Sequence, residues 1–233
     1  MRTPPADLPQ GEAKVAAVRA MFDTIAPRYD LVNRIMTFRM DVGWRRRTVG
    51  DLGLAPGSVV IDLASGTGDL CRDLDRRGLK PIAADLSLGM LQHATHHHPR
   101  TQADALRLPF ADGSVDGVVC GFALRNFVAL GPVFSELARV TRPGGRIGLL
   151  DVAQPANPVL RIGHGLYFGR IVPLIGGLLS DKQAYSYLPR SVAYMPDPAA
   201  LLDDLRSSGF TAVERHLLST GISQLILATR SAP

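Results

Sequence analysis

The spacing of hydrophobic residues changes partway along the chain. Over residues 13–49, apolar side chains recur every three or four positions, as in amphipathic helices, and Pro27 divides this segment in two. Short, uninterrupted apolar runs follow at residues 59–61, 81–84, 117–120 and 147–150. Such runs are typical of parallel strands that are buried on both faces of a sheet.

Helical patterns lie between these predicted strands, at residues 70–77, 88–94 and 132–142. The alternation predicts an α/β fold with an open, doubly wound sheet and right-handed crossovers. The alternation stops at residues 155–197. This segment is too long and too apolar for a simple connection, and it therefore predicts a helical insertion. The pattern ends with a helix and two strand-like runs, at residues 198–208, 211–218 and 222–229.

The chain is predicted to form one domain over residues 13–233. A proline-rich, polar tail at residues 1–12 precedes it, and we expect this tail to be disordered. Within the domain, residues 13–50 form an N-terminal helical cap. The composition, 46% hydrophobic and 20% charged, is that of an ordinary globular chain and excludes collagen-like and disulfide-scaffold proteins.

The charge distribution argues against a nucleic-acid partner. The formal net charge is +5, and the basic residues are scattered apart from Arg45, Arg46 and Arg47. Because the sequence shows neither an apolar run of about 18 residues nor a secretory signal, we expect a cytoplasmic protein. The oligomeric state is left open.

Cysteine and histidine residues give no sign of a metal site. Cys71 and Cys120 lie in apolar surroundings without Cys-x-x-Cys spacing, which predicts reduced thiols in the core. The histidines at residues 96–98 lack acidic or cysteine partners. We therefore predict no metal.

The most informative local feature is a glycine-containing loop after the first predicted strand. In VVIDLASGTGDL, at residues 59–70, Gly66 and Gly68 allow a ligand to approach the backbone. Cys71 replaces the third glycine of a dinucleotide-binding motif, and Asp62 and Asp69 would repel a pyrophosphate. Two carboxylates instead suit the ammonium and sulfonium groups of S-adenosylmethionine.

Acidic residues also follow later strands. Asp85 is placed to accept hydrogen bonds from a ribose diol, and Asp104 with Ala105 to bind an adenine amino group. Taken singly, Asp69, Asp85 and Asp104 are equally explained as helix caps or turn residues. The predicted cofactor-binding residues are Asp62, Ser65, Gly66, Thr67, Gly68, Asp85, Leu86, Asp104, Ala105 and Gly121.

Longer segments resemble the ubiquinone/menaquinone biosynthesis C-methyltransferases, a family of class I S-adenosylmethionine-dependent methyltransferases. The resemblance extends from about Met21 to His216. The matching segments are the N-terminal signature, the Leu-Arg-Asn motif, the Pro-Gly-Gly turn with its following strand and the substrate-side segment, at residues 21–44, 121–127, 139–155 and 184–197. The resemblance implies a mostly parallel, seven-stranded, Rossmann-like sheet.

The resemblance also implies an acceptor, a prenylated benzenoid or naphthoid hydroquinone that is methylated on a ring carbon. Some positions depart from the family pattern, and they concern the acceptor rather than the cofactor. Asp41 stands in place of a His, Val32 in place of a Met, and Asp151 with Gln154 in place of Glu and Ser. Ser65 and the last strand differ as well.

Arg125 and Asn126 are the predicted catalytic residues, because they follow the fourth strand, where doubly wound sheets place ligand-facing groups. We expect Arg125 to stabilise the developing phenolate and Asn126 to orient the hydroxyl. In the alternative interpretation, Arg125 pairs with Asp30 or Asp116 and only fixes the N-terminal helices.

Five residues are predicted to contact the acceptor: Tyr29, Asp30, Asn33, His164 and Tyr167. The first three span one helical turn, and they are equally explained as a helix-start cluster after Pro27. His164 and Tyr167 share one helix face, where a packed or solvent-facing pair is the alternative. Trp44 is predicted to be a packing anchor.

The apolar insertion has two interpretations. In the first, the insertion covers a prenyl tail or docks on a membrane through apolar residues such as Phe168, Leu174 and Ile175. Arg161 and Arg170 would then lie near anionic lipid headgroups. Alternatively, it is an amphipathic helix packed on the sheet. Rival functions for the chain are methylation of another small aromatic compound or secondary metabolite, and non-catalytic binding of S-adenosylmethionine.

Overall fold

Seven strands form one sheet in the computed structural model, which describes residues 9–179, 181, 184, 187 and 190–232. Their order across the sheet is β3-β2-β1-β4-β5-β7-β6, and only β7 runs antiparallel to its neighbours. The predicted doubly wound, mostly parallel sheet is therefore confirmed. The strands are β1 (Val59–Leu63), β2 (Lys80–Asp85), β3 (Arg100–Gln102), β4 (Val115–Gly121), β5 (Thr141–Val152), β6 (Phe210–Leu218) and β7 (Ser223–Arg230).

Helices cover both faces of this sheet. On one face, Leu137 and Leu205 pack on strand residues such as Ile147, and on the other Val49 and Leu74 pack on Val60. None of the described helices is long and apolar enough to cross a bilayer. The described helices are α1 (Gly11–Ile25), α2 (Tyr29–Met36), α3 (Met40–Asp51), α4 (Asp69–Asp75), α5 (Leu88–Gln92), α6 (Leu130–Val140), α7 (Pro158–Leu166), α8 (Val172–Leu179) and α9 (Pro198–Ser207).

Two features differ from the pattern-based prediction. The three-residue strand β3 was not predicted, because its sequence, RTQ, is polar and carries no apolar run. Residues 1–8 of the predicted tail lie outside the described residues, whereas Gly11 and Glu12 belong to α1. The helix thus begins two residues before the predicted domain start.

The described part of the insertion contains α7 and α8, whereas residues 155–157, 181 and 195–197 are not helical. Asn157 caps α7, since its side chain accepts hydrogen bonds from the backbone N–H groups of Val159 and Leu160. A π-helical turn at Tyr167–Ile171 joins α7 to α8. Residues 180, 182–183, 185–186 and 188–189 of the insertion lie outside the described residues.

The N-terminal helices pack against the insertion. Ile25 and Val32 form an apolar cluster with Val172, against which Tyr167 and Phe168 pack. The helical cap and the insertion, which are far apart in the sequence, therefore form one wall above the carboxyl ends of the strands.

Lys14 fastens α1 to the turn that follows β4. Its buried Nζ donates to the carbonyl oxygens of Arg125 (2.9 Å) and Phe127 (2.8 Å). The same ammonium lies 3.6 Å from the centroid of the Tyr194 ring. Burial lowers the pKa of Lys14 to about 8, so the side chain is still charged at neutral pH.

Lys14→Met should lower the free energy of unfolding by about 2 kcal/mol, because it leaves two carbonyl oxygens without their buried donor. Urea unfolding measures the change. Lys80→Met is the matched control, since Lys80 is exposed, and it should cost less than about 0.5 kcal/mol. An equal loss of unfolding free energy in the two variants would show that the Lys14 hydrogen bonds do not stabilise the position of α1.

Candidate active site

Two joined cavities lie at the carboxyl ends of β1 and β4. The chain leaves these neighbouring strands toward opposite edges of the sheet, an arrangement that opens a crevice at the strand ends. The larger cavity has a volume of about 440 Å³ and the smaller one about 110 Å³. Both are lined by Tyr29, Ala64, Gly66, Gly121 and Phe122.

The backbone is strained where the cavities meet. Ala64 and Phe122 have φ angles of 52° and 60°, in the left-handed region that residues with a side chain rarely adopt. Each follows one of the two central strands. Strain of this kind persists where the surrounding structure enforces it, and it concentrates at ligand sites. No pattern in the sequence singles out these two positions.

Asp85 ends β2 and lines the smaller cavity. Its Oδ2 accepts a hydrogen bond from the backbone N–H of Gly66 and its Oδ1 from that of Ser87, both at 2.8 Å. Burial raises the pKa of this carboxyl, and the two backbone donors oppose the rise. Each oxygen retains acceptor capacity for a ligand diol.

The smaller cavity also contains the other residues predicted for the nucleoside end of a cofactor. Leu86, Asp104 and Ala105 line it. Oδ1 of Asp104 accepts from the backbone N–H of Leu106 at 2.9 Å. Residues of α1 close the cavity on the other side, among them Val15, Val18 and Phe22.

Gly68 is required for a reason other than the one predicted. A Cβ at this position would lie 2.0 Å from the His96 ring, and its φ angle is 84°. His96 is buried, and burial lowers the pKa of its imidazole to about 4. The neutral ring of His96, rather than a ligand, therefore occupies the space that the missing side chain leaves.

Two buried polar atoms beside the glycine loop have no hydrogen-bond partner within the described chain. They are Oδ1 of Asp62 and Oγ of Ser65, and both residues line the larger cavity. The other Asp62 oxygen accepts from the backbone N–H of Cys71 at 3.0 Å. Burial raises the pKa of Asp62 to about 7. These unsatisfied acceptors fit a cationic donor group such as an ammonium.

Asp69 does not supply a second free carboxylate. It forms ion pairs with Arg34 at 3.2 Å and Arg45 at 2.9 Å, and a third with Arg72. The sequence argument that two acids flank the loop is therefore wrong for Asp69, whose charge is already neutralised. This leaves Asp62 as the acid that suits a cationic ligand.

Asp30 and Thr67 hold the helical cap to the glycine loop. Oγ1 of Thr67 donates to Asp30, whose carboxylate also lies 3.5 Å from Arg72. Thr67 lines the larger cavity, but Asp30 lines neither. In this structure Asp30 links the helical cap to the glycine loop and does not line the cavity proposed for the acceptor.

Arg125 lines the larger cavity and is held by a buried ion pair. Its Nη1 donates to Oδ1 of Asp151 at 2.5 Å and to the carbonyl of Phe122, and its Nε donates to Oγ of Ser191. The alternative pairing with Asp30 or Asp116 is wrong. The described hydrogen bonds use Nε and Nη1, so Nη2 is not engaged by any described residue.

Asn126 lines the smaller cavity, although its neighbour in sequence lines the larger one. Tyr29 lies at the junction of the cavities. Burial raises the pKa of the Tyr29 phenol, and the positive charge of Arg125 opposes this rise. The Asn33 side chain also opposes this rise, and Asn33 lines the larger cavity. Tyr29 thus presents a neutral hydroxyl to the site.

His164 and Tyr167 line the larger cavity from the insertion. The Tyr167 hydroxyl donates to the Met36 carbonyl at 2.7 Å, so its ring rather than its hydroxyl proton faces a ligand. Nε2 of His164 is buried, with no hydrogen-bond partner among the described residues.

Aromatic residues that the sequence did not assign to the site also line the larger cavity. Trp44 does so, while its Nε1 donates to Oγ of Ser219 and its ring lies 6.2 Å from that of Phe122. It is a packing anchor, as predicted, and a cavity wall as well. Phe38 and Phe168 complete this aromatic lining.

Both cysteines are free and buried, as predicted. Burial raises the pKa of Cys71 and of Cys120, so neither is a reactive thiolate. Within the described part of the chain, no group of three or more His, Cys, Asp or Glu residues is arranged to hold a metal ion.

Known proteins of similar sequence are methyltransferases. The model of the ubiE/COQ5 methyltransferase family matches residues 10–230. The demethylmenaquinone methyltransferase of Mycolicibacterium paratuberculosis is 40% identical over 91% of this chain and 94% of its own length. That of Thermus thermophilus is 40% identical over 90% of this chain and all of its own length.

Solved structures share the fold of this chain. A complex of the Haloferax volcanii Trm112 methyltransferase activator and a methyltransferase gives a TM-score of 0.68 at 18% identity, covering 91% of this chain and 98% of that one. Phosphoethanolamine N-methyltransferase 2 of Haemonchus contortus, solved with S-adenosylhomocysteine, gives 0.61 at 13% identity, covering 81% and 52%. From the family model and these relatives, the chain belongs to the ubiE/COQ5 methyltransferase family and is an S-adenosylmethionine-dependent methyltransferase.

Proposed function

We propose that this protein transfers a methyl group from S-adenosylmethionine to a ring carbon of a prenylated demethylquinol such as demethylmenaquinol. The observation that carries this proposal is the pair of joined cavities. One has acidic and glycine residues suited to a nucleoside, and the other combines aromatic walls with buried polar atoms. The names of the relatives supply the acceptor class.

The chemistry of the residues around the glycine loop suits the parts of the cofactor. In this proposal Asp62 and Ser65 accept hydrogen bonds from the ammonium, since their buried oxygens lack partners among the described residues. Asp85 binds the ribose diol, and Asp104 and Ala105 contact the adenine. When bound, S-adenosylmethionine supplies an electrophilic methyl carbon.

The quinol ring is assigned to the larger cavity. Trp44 and Phe168 provide apolar walls that exclude water, and Arg125 provides a positive charge for an oxygen that becomes phenolate. Because the ion pair with Asp151 fixes the guanidinium, its Nη2 is held ready for that oxygen. Tyr29 orients the hydroxyl group from the junction of the cavities, and Asn126 does so from the smaller cavity.

The insertion provides a surface for the prenyl tail. Val159, Ile162, Leu174 and Leu178 are 63–77% exposed, and Arg161 and Arg170 lie in the same segment. Exposed apolar residues near basic ones are typical of a surface that rests on anionic lipid. A membrane-dissolved substrate then reaches the cavity without crossing water.

The acceptor class is tested by incubating the protein with radiolabelled S-adenosylmethionine and, in parallel, a demethylmenaquinol and a panel of soluble phenols. Label in the quinol supports the proposed reaction. Label only in the soluble phenols assigns a different acceptor, and absence of label from every acceptor refutes methyl transfer.

Arg125→Gln combined with Asp151→Asn should lower kcat about 100-fold, the usual effect of removing one donor to a developing oxyanion. Both charges are changed because a lone buried carboxylate at Asp151 would destabilise the fold. Arg142→Gln combined with Asp116→Asn is the matched control, since this ion pair lines neither cavity and its removal should retain most of the activity. Adenosylhomocysteine affinity should be unchanged in both. Full turnover in the double variant would exclude this role for Arg125.

The affinity for adenosylhomocysteine should fall about tenfold between about pH 8 and pH 6, because protonation of Asp62 removes the charge that attracts the ammonium. Titration calorimetry at several pH values measures this. Asp62→Asn should bind weakly at each pH and show no such slope. If the affinity of Asp62→Asn still changes with pH in the same way, the pH dependence arises from another group.

Ile162→Gln with Leu174→Gln should reduce flotation with anionic liposomes roughly tenfold or more, since two exposed apolar side chains no longer enter the lipid. The matched control is Leu88→Gln with Leu217→Gln, which changes two exposed leucines elsewhere. Equal flotation of the two variants would refute docking through the insertion.

A further inference from the structure

The insertion carries one polar group that the proposed function leaves unexplained. Nε2 of His164 is buried and has no hydrogen-bond partner among the residues that the structure describes. Burying an unpaired polar group is costly unless a ligand or solvent completes it. His164 lines the larger cavity, on the wall formed by α7. This position is separate from Asp62 and Ser65, which belong to the glycine loop.

The His164 ring is held in place by its neighbours. It packs on Phe168 with the ring centroids 4.4 Å apart, and Phe168 packs edge-on against Tyr167. The Tyr167 hydroxyl in turn donates to the Met36 carbonyl of α2. The imidazole is therefore fixed against the apolar wall where the quinol ring is assigned.

The charged groups on the other walls of the cavity are mostly neutralised by partners. Asp41 pairs with Arg45 at 2.6 Å, Arg45 also pairs with Asp69, and Arg125 pairs with Asp151. Asp62 is assigned to the cofactor. Burial alone lowers the pKa of His164, so the imidazole is neutral at physiological pH.

Other candidates for a base in this cavity are less suitable. The guanidinium of Arg125 has donors but no acceptor, and the raised pKa of Tyr29 keeps its phenol neutral. Asp41 and Asp69 are engaged with arginines. A neutral imidazole with an unshared nitrogen lone pair has the properties of a general base near neutral pH.

We propose that Nε2 of His164 accepts the proton from the quinol hydroxyl next to the methylated carbon. The proposal rests on the proposed function and names a catalytic group for it. It requires the tautomer with the ring hydrogen on Nδ1. His164 thereby supplies the base that Arg125 cannot, while the guanidinium stabilises the oxygen that loses its proton.

In this step the O–H bond of the hydroxyl breaks and an N–H bond forms at Nε2. The electron pair left on oxygen is shared with the ring carbon, which bonds to the donor methyl while the carbon–sulfur pair remains on sulfur. The hydrogen of that ring carbon then leaves to solvent as a proton. The imidazolium of His164 returns its proton to the oxygen, so one proton is released overall and the base is restored.

His164→Gln should lower kcat about 100-fold or more, the range typical of a lost general base. The wild-type rate should rise with pH through a group titrating below the ordinary histidine value, and the variant should lack this limb. His216→Gln is the matched control, since His216 lies on the edge strand β6 and lines neither cavity. Adenosylhomocysteine affinity should be the same in all three proteins.

His164→Ala provides a second measurement, in which added imidazole should restore a large part of the lost rate. A halogenated quinol with a more acidic hydroxyl should lose less rate on substitution than the parent quinol. An unchanged pH profile in His164→Gln, or no rescue by imidazole, would overturn the assignment. These outcomes are read against an active wild-type enzyme, whereas failure of the wild type to methylate any quinol would refute the proposed function instead.

Discussion

The pairing of β1 with β4 is the constraint on which the site depends. These parallel strands are neighbours in the sheet, but the chain leaves them toward opposite edges, so a crevice opens at their carboxyl ends. Ala64 and Phe122, whose backbone is left-handed, line this space directly after the two strands. Both cavities meet there, and the proposed donor and acceptor sites consequently share a boundary.

Charge pairing attaches the N-terminal helices to this crevice. Arg34 and Arg45 of the helical cap share Asp69 with Arg72 of α4, and Asp30 binds Thr67. Partly buried charges need partners, and the acids and arginines of this network are partners for one another. Among the described residues no cation pairs with Asp62, which therefore remains available to a cationic ligand.

The walls of the acceptor cavity come from segments that are far apart in the sequence. Tyr29 and Trp44 belong to the cap, Arg125 to the turn after β4, and His164 to the insertion. Packing of the cap on the insertion brings these groups together around an apolar space. The proposed division of roles, a fixed cation and a neutral imidazole, depends on that packing.

The sequence by itself determined the alternation of strands and helices apart from β3, the glycine loop and the acids at the strand ends, because local hydrophobic period and short motifs encode them. It also placed Arg125 correctly after β4. Only the tertiary structure decided which charges are neutralised. Asp151 pairs with Arg125 across 26 positions, His96 fills the space at Gly68, and the arginines around Asp69 come from three helices. Such contacts depend on packing between distant segments, which no local pattern records.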